Sequence, residues 1–265
     1  MTEKLPEMKD WNSTREALRS SLEPLRSARL LGTEEIPNEL HHSLFPHFNG
    51  ARTGPLDFGG ELFLDYKALK IVFKKGESLV FEVPLAGHSQ RSLFDEVALE
   101  FAKYDINISP YKDKVESTEK FDTDQGRAKE YAELQFRVFN AIARFKAHLF
   151  GPQTPIALWP HGFDLSTIWF PFGSPEMNEK VNPQMNFGFS PGTSDDEGPY
   201  IYFYAWPVPD GLVGTKLPMG GEWNEAWSTP GAVFKISEFN KAENPDREMT
   251  RVLLESFWSI SPRLG

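Results

Sequence analysis

Residues 127–150 read RAKEYAELQFRVFNAIARFKAHLF and form the best-defined element of the sequence. Its apolar side chains recur at steps of three and four residues, which is the period of an α-helix with one buried face. They are Tyr131, Leu134, Val138, Ile142, Phe145 and Leu149, with Phe136, Phe139 and Phe150 at the margins of the stripe. The sequence therefore predicts a long central helix that Gly151-Pro152 ends.

Strand-like segments flank this helix. Upstream, residues 61–83 have the alternation of a strand meander, and the apolar stripe of residues 90–104 predicts a helix. Downstream, strands are predicted at 156–159, 166–170, 185–190, 200–206 and 232–236. A last helix begins at Asn244-Pro245, a cap followed by proline. Blocks of strands with helices between them favour an α+β fold with largely antiparallel sheets, packed by the long central helix and by N- and C-terminal helices.

The N-terminal part carries a helix and then a long irregular segment. Ser13 and Glu16 have capping-box spacing, so a helix is predicted to begin near Ser13, and Pro24 is expected to kink or split it. Residues 32–60 are rich in Pro and Gly and are predicted to be a loop. A loop of that length indicates either a function or short elements without a readable pattern.

Both halves of the chain read as strands followed by a helix. We predict a single α+β domain over residues 1–265, and a diverged duplication of 1–125 and 126–265 stays open as its origin.

The composition excludes several classes of protein. A chain of 265 residues that is 40% hydrophobic and 25% charged is too apolar for disorder and long enough to bury a core. It has no Cys, which excludes disulfides, thiolate metal sites and cysteine nucleophiles, and fits a reducing compartment. A net charge of −10 argues against nucleic-acid binding, because phosphates repel an acidic surface. Without a signal peptide or a long apolar run, we expect a cytoplasmic protein that does not bind membranes.

The segment 200–206, Tyr-Ile-Tyr-Phe-Tyr-Ala-Trp, is the strongest candidate for the wall of a ligand site. Alternate side chains of a strand share a face. One face therefore carries Tyr200, Tyr202, Tyr204 and Trp206, and the other carries Ile201, Phe203 and Ala205. Amphipathic rings in a row suit a flat or sugar-like ligand, which their hydroxyl groups would orient. The alternative is that these rings pack beneath a helix and expose only their polar ends to water. The sequence favours neither interpretation over the other.

Candidate acid–base groups lie in two predicted turns. His161 and Asp164 are three residues apart, and an Asp can orient an imidazole that acts as a general base. The alternative is that Asp164 caps the turn and His161 is a surface residue. Asp196 belongs to the run 195–197, whose crowded carboxylates suit acid–base work or a hard cation. Gly198-Pro199 marks a tight turn, and an exposed turn is the favoured interpretation of this run.

Further candidates are aromatic, basic or metal-binding. Trp159 lies beside the predicted turn and is assigned to the ligand wall, and Arg52 is a candidate partner for an anionic group of the substrate. Trp223 and Trp227, four residues apart, are interpreted as core or as a helix face. The histidines of the Pro-rich segment match no metal-site spacing, so we predict no metal site. They are His41, His42 and His47. We also predict no organic cofactor.

Three motifs occur together in the chain. They are Thr53-Gly-Pro-Leu-Asp-Phe-Gly-Gly60, Phe163-Asp-Leu165 with Thr167 and Phe170, and Gly198-Pro-Tyr-Ile-Tyr-Phe-Tyr-Ala-Trp-Pro207. In combination they resemble the bacterial family catalogued as domain of unknown function 5996, from about His41 to the last helix. The resemblance implies a single-domain, cytosolic protein and no particular activity. The family's pattern has a His in the strand before Phe163, where this chain has Ala157, so the resemblance shifts weight from His161 to Asp164, the carboxylate loop and the tyrosine strand.

These observations lead to a small-molecule site on the aromatic strand, with Asp164 as charge or proton acceptor and His161 and Asp196 as secondary candidates. If the site is catalytic, cofactor-independent acid–base chemistry of hydrolase or isomerase type is the least demanding class. The alternative is a noncatalytic interaction protein or a homo-oligomeric scaffold, whose aromatic face is covered by a partner or a second copy. A weaker alternative is a metal-dependent enzyme that uses the three histidines.

Overall fold

The structure, a computed structural model, describes residues 4–174 and 176–264. It contains two β-sheets flanked by helices, and the strand pairs are antiparallel from β1 to β5 and from β7 to β11. The predicted α+β class with largely antiparallel sheets is therefore confirmed.

The first sheet is an antiparallel meander with the order β1-β2-β3-β4-β5. Its strands are β1 (Phe45–His47), β2 (Gly50–Arg52), β3 (Glu61–Asp65), β4 (Lys70–Lys75) and β5 (Ser78–Pro84). The meander predicted over 61–83 is confirmed. Strands β1 and β2 lie inside residues 32–60, which the sequence predicts to be a loop. The sequence does not reveal them, because a strand of three residues is too short to display alternation.

The second sheet has the order β10-β11-β9-β8-β7-β6. Its strands are β6 (Ala157–Trp159), β7 (Asp164–Trp169), β8 (Gln184–Ser190), β9 (Tyr200–Trp206), β10 (Glu222–Asn224) and β11 (Gly231–Lys235). Every strand predicted downstream of the central helix is present. Edge strand β10 carries Trp223, and Trp227 follows in an irregular segment, so the interpretation of this pair as a helix face is wrong. A spacing of four residues indicates a helix only when a longer periodic run supports it.

The helices are α1 (Asn12–Ser20), α2 (Glu23–Leu31), α3 (Gln90–Ala102), α4 (Gln125–Lys146), α5 (Ile236–Phe239) and α6 (Pro245–Ile260). The split at Pro24 is confirmed, because Pro24 lies in the first turn of α2. The capping box at Ser13 is wrong: α1 begins at Asn12, and its cap residue Trp11 makes no side-chain cap. The predicted cap of α6 is confirmed, since the Asn244 side chain accepts a hydrogen bond from the Arg247 amide. Within the described residues, no helix is long and apolar enough to cross a bilayer.

The chain divides into two compact units. The N-terminal unit comprises residues 10–136 and 157–163, and the C-terminal unit comprises residues 4–9, 137–156, 164–174 and 176–264. The first sheet is a sequential meander, whereas the second places β11 beside β9 and leaves β10 at the edge. The duplication stays a prediction.

Aromatic side chains form the core of each unit. In the N-terminal unit, Tyr131 of α4 packs against the rings of Trp11, Tyr66 and Phe163 at centroid distances of 4.8, 5.7 and 4.9 Å.

In the C-terminal unit, Phe187 of β8 contacts Phe145 of α4, Phe257 of α6 and Phe203 of β9. Helices α4 and α6 therefore cover the Phe187 side of the second sheet, and this arrangement determines which side of β9 they leave uncovered.

Candidate functional site

Strand β9 has two unlike faces, as its alternation predicts. Ile201, Phe203 and Ala205 are completely buried, whereas Tyr202 and Tyr204 are only partly buried. Since Phe203 lies on the Phe187 side that α4 and α6 cover, the tyrosines point to the opposite side of the sheet. They are therefore not packed beneath α4, which was the alternative left open by the sequence.

Strand register shows which residues share this opposite side. On β8, Gln184, Asn186, Gly188 and Ser190 lie across from Trp206, Tyr204, Tyr202 and Tyr200. Residue Asp164 begins β7, one position before Leu165, which pairs with Phe189 of the covered side. We call the following set the tyrosine face: Asp164, Gln184, Asn186, Gly188, Ser190, Tyr200, Tyr202, Tyr204 and Trp206.

One hydrogen bond ties the tyrosine strand to the predicted carboxylate. The Tyr202 hydroxyl donates to Asp164 Oδ2 at 2.7 Å. To reach β7 from β9, the Tyr202 ring crosses strand β8 at Gly188. A Cβ atom at position 188 would lie 2.2 Å from Tyr202 Cζ, so only glycine leaves room for this contact. The structure thus brings together two residues that the sequence assigned separately to ligand binding and to catalysis.

The rings of the tyrosine face contact one another and a tryptophan. Tyr202 and Tyr204 are parallel within 1°, with centroids 6.4 Å apart. Trp227 lies 6.0 Å from Tyr202 and 6.3 Å from Tyr200. It also covers Gly231, where a Cβ would lie 2.6 Å from the indole ring. Sequence reasoning missed Trp227, and no local pattern connects it to β9.

The environment keeps the tyrosine hydroxyl groups protonated. Burial, with the nearby charge of Asp164, raises the pKa of Tyr202 well above its ordinary value. Burial, with the charges of Glu179 and Asp164, raises the pKa of Tyr204 to about 12. Burial also raises the pKa of Tyr200. At neutral pH these groups therefore act as hydrogen-bonding phenols and not as phenolates.

Two amide side chains on the tyrosine face hold oxygens that lack a donor. Gln184 and Asn186 are only 5% and 6% exposed. Within the described part of the chain, no group donates a hydrogen bond to Gln184 Oε1 or Asn186 Oδ1. The Gln184 amide nitrogen donates to the Glu179 carbonyl at 2.8 Å, which fixes the orientation of that amide. Sequence reasoning missed both residues, although β8 alternates polar and apolar as clearly as β9 does.

Asp196 lies in a different place from Asp164 within the C-terminal unit. The turn 195–197 lines a pocket of about 220 Å³ together with residues 6–9 and 235–237. Asp196 itself is exposed. Glu197 serves the turn, because it accepts hydrogen bonds from the Thr193 amide and hydroxyl at 2.5 and 2.7 Å. The pocket lining includes neither Asp164 nor Tyr202.

His161, Trp159 and Arg52 belong to the N-terminal unit. His161 is exposed and lines a polar pocket of about 490 Å³ with Glu23 and Arg26 of α2. The Trp159 and His161 rings are 6.2 Å apart. Arg52 forms an ion pair with Glu61 of the neighbouring strand, with 3.4 Å between Nη1 and Oε1.

The three histidines of the Pro-rich segment also lie in the N-terminal unit. The rings of His41 and His42 are 4.4 Å apart, and His42 Nδ1 lies 3.3 Å from Arg26 Nη2. The His47 ring packs against Phe48 and burial lowers its pKa. Within residues 4–174 and 176–264, no group of three or more His, Asp or Glu side chains could hold a metal ion.

Comparison with known proteins supports the resemblance seen in the three sequence motifs. A search of curated proteins and a search of solved structures each find no match. The model of the family of unknown function DUF5996 matches residues 4–263, and the chain belongs to that family.

Proposed function

We propose that the tyrosine face binds a small molecule, and that Asp164 is the proton acceptor of a cofactor-independent acid–base reaction of hydrolase or isomerase type. The observation that carries this proposal is the 2.7 Å hydrogen bond from Tyr202 to Asp164, on a face that is turned away from the covering helices.

The hydrogen bond suits a proton acceptor because it orients the carboxylate. The Tyr202 hydroxyl gives its hydrogen to Asp164, and the raised pKa of Tyr202 keeps that hydrogen on the phenol. Tyr202 is thus a positioning residue, and the carboxylate is the group that would take a proton from a bound molecule. The half-buried ring of Tyr204 stands beside this pair and offers an apolar wall with a polar tip.

The unpaired amide oxygens support a binding role for the same face. A buried acceptor without a donor costs about 1–3 kcal/mol of stability, so such groups are uncommon unless something pairs with them. Gln184 and Asn186 each hold one such oxygen beside the aromatic rings. A donor that reached them, from an ordered water or from a ligand, would recover that cost. We also propose that the protein works in the cytosol, with which its lack of Cys is compatible.

The proposal is tested by a thermal-shift screen of metabolites, followed by calorimetric titration of the compounds that raise the melting temperature. Tyr204→Ala is expected to weaken binding about tenfold or more, because it removes one wall of the site. Its melting temperature should fall only slightly, since the side chain is partly exposed. The control is Trp258→Ala, which removes an exposed aromatic ring of α6 in the same unit and should leave binding unchanged. Loss of stability in Tyr204→Ala without any change in binding would contradict the proposal.

A second candidate function is self-association. Phe150 and Phe172 are 78% and 86% exposed, and both lie beside the Gly151 turn in the C-terminal unit. Exposed aromatic rings at neighbouring positions favour an interface with a second copy of the chain. A mass that rises with concentration and is lowered by Phe172→Asp would support this function. A monomeric mass at every concentration would exclude it.

A further inference from the structure

We infer that the polar cavity of the N-terminal unit binds a zwitterion, a small molecule that carries both an ammonium and a carboxylate group. The cavity has a volume of about 490 Å³, which lies within the range of about 300–1,000 Å³ that is typical of small-molecule sites. The residues that line it belong to the N-terminal unit, whereas the tyrosine face belongs to the C-terminal unit. This cavity is therefore a second site, independent of the tyrosine face.

One wall of the cavity is a segment that side chains hold against two helices. At the start of this segment the Asp113 amide donates a hydrogen bond to Glu23 Oε1 of α2 at 2.8 Å. At its end the Ser117 amide donates to Gln90 Oε1 of α3 at 3.4 Å. Because both ends of the segment are tied to helices, the fold itself shapes the cavity.

The side chain of Glu23 offers the cavity one free carboxylate oxygen. This side chain is only 12% exposed, and the hydrogen bonds that it accepts from Asp113, Arg26 and Ser27 all go to Oε1. Within the described residues, no group donates to Oε2. Burial raises the pKa of Glu23, because it removes water from the charged carboxylate. An ammonium group beside Oε2 would replace that water and favour the charged form.

The charges on the cavity wall are balanced. They are basic at Arg19, Arg26 and Lys114, and acidic at Glu16, Glu23 and Asp113. A ligand with a single charge would meet as many repulsive as attractive groups. A zwitterion can place each of its ends beside the opposite charge, so it is the class of ligand that complements this wall.

The unpaired groups of the wall assign the two ends of the ligand. In the part of the chain that the structure describes, the Lys114 ammonium and the Asp113 carboxylate have no partner. Lys114 would take the carboxylate of the ligand, and Asp113 with Glu23 Oε2 would take its ammonium group. The rest of the ligand would meet uncharged polar groups or an imidazole, which suit a polar side chain. These wall residues are Ser20, Gln90, Ser117 and His161.

Three probes that share one polar side chain and differ in their end groups test the inference. They are L-glutamine, which is a zwitterion, L-glutaminamide, which is a cation, and N-acetyl-L-glutamine, which is an anion. Binding is measured by ligand-observed NMR on the full chain at pH 7. We expect L-glutamine to bind about tenfold more tightly than either other probe, because it alone satisfies both ends of the site.

Two variants each remove one charge from the wall. Glu23→Gln keeps an oxygen that can accept from the Asp113 amide, and Lys114→Gln changes an exposed residue. Each should weaken the binding of L-glutamine severalfold, and Lys114→Gln decides the test if Glu23→Gln does not fold. The matched control is Lys112→Gln, because Lys112 is exposed in the same segment but does not line the cavity. Binding should be unchanged in Lys112→Gln and in Tyr204→Ala.

The possible results separate the inference from the proposed function. If L-glutaminamide or N-acetyl-L-glutamine binds as tightly as L-glutamine, the zwitterion class is wrong. If L-glutamine binds equally well to wild type and to Lys114→Gln, the cavity is not its site. If none of the probes binds at about 20 mM, which is weak even for a ligand of this size, the inference fails. Loss of binding in Tyr204→Ala would overturn the inference and support the proposed function, since it would place the ligand on the tyrosine face.

Discussion

The two faces of strand β8 carry different side chains on one backbone. Met185, Phe187 and Phe189 are buried on the side that α4 and α6 cover. Gln184 and Asn186 are also buried, on the other side, but their amide oxygens lack donors. Burial therefore has opposite consequences on the two faces: on the covered face it stabilises the fold, and on the tyrosine face it leaves two amide oxygens without a donor.

The largest expected effect is on the covered face. Phe187→Ala removes a fully buried ring that contacts Phe145, Phe203 and Phe257. We expect a loss of about 3–5 kcal/mol in the free energy of unfolding, because a cavity is left among the rings. Urea denaturation of wild type and Phe187→Ala measures this loss in unfolding free energy. A loss below about 1 kcal/mol would mean that this face is not the core of the unit.

The next largest effect is the pH dependence of stability that comes from Lys146, a charged residue of α4 on the covered face. Its Nζ atom donates to the Thr154 carbonyl at 2.5 Å and to Thr167 Oγ1 at 2.7 Å, and burial lowers its pKa to about 8. The protonated form therefore destabilises the folded state at pH values below about 8, and this cost disappears as the pH rises towards the ordinary value of 10.5. Between these values the free energy of unfolding should gain up to about 3 kcal/mol from Lys146.

The measurement is the difference in unfolding free energy between wild type and Lys146→Met, followed from neutral pH to about 10. Taking the difference cancels the other titrating groups, including the tyrosines, whose raised pKa values act in the opposite direction at higher pH. A difference that stays constant over this range would show that Lys146 is not desolvated by its surroundings.

A smaller effect is expected where the tyrosine face needs a glycine. Gly188→Ala places a methyl group against the Tyr202 ring and within 2.5 Å of the Leu165 carbonyl oxygen. We expect a loss of about 1–3 kcal/mol, because the ring must leave Asp164. In a Tyr202→Ala background the same substitution should cost less, so a double-mutant cycle gives a coupling free energy of about 0.5 kcal/mol or more. Strictly additive losses would mean that the ring does not cross β8 at this position.

The predictable part of the site was the alternation within single strands. The pattern of β9 located the tyrosine rings on one face, because side-chain direction along a strand follows from the backbone alone. The partner of Asp164 could not be predicted in this way. It depends on the register of three strands and on Gly188, and no local pattern encodes which strands pair.

Other differences between sequence and structure have the same origin. The sequence pairs His161 with Asp164 because the two are close along the chain, yet Asp164 accepts a hydrogen bond from Tyr202, which is 38 residues away. Trp227 reaches the tyrosine face from an irregular segment, so periodicity could not assign it. The polar face of strand β8 could have been predicted from the sequence. Its polar residues alternate with Met185, Phe187 and Phe189, and that alternation separates a polar face from an apolar one.

The stability of Asn186→Leu distinguishes a tyrosine face that binds a ligand from one that is a second core. Leucine has as many side-chain heavy atoms as asparagine but no oxygen that needs a donor. We expect the free energy of unfolding to rise by about 1–3 kcal/mol, because the substitution removes an unsatisfied buried acceptor. Binding at the face should weaken at the same time. A fall in stability would contradict the account, since it would show that the Asn186 amide holds the fold together as Phe187 does.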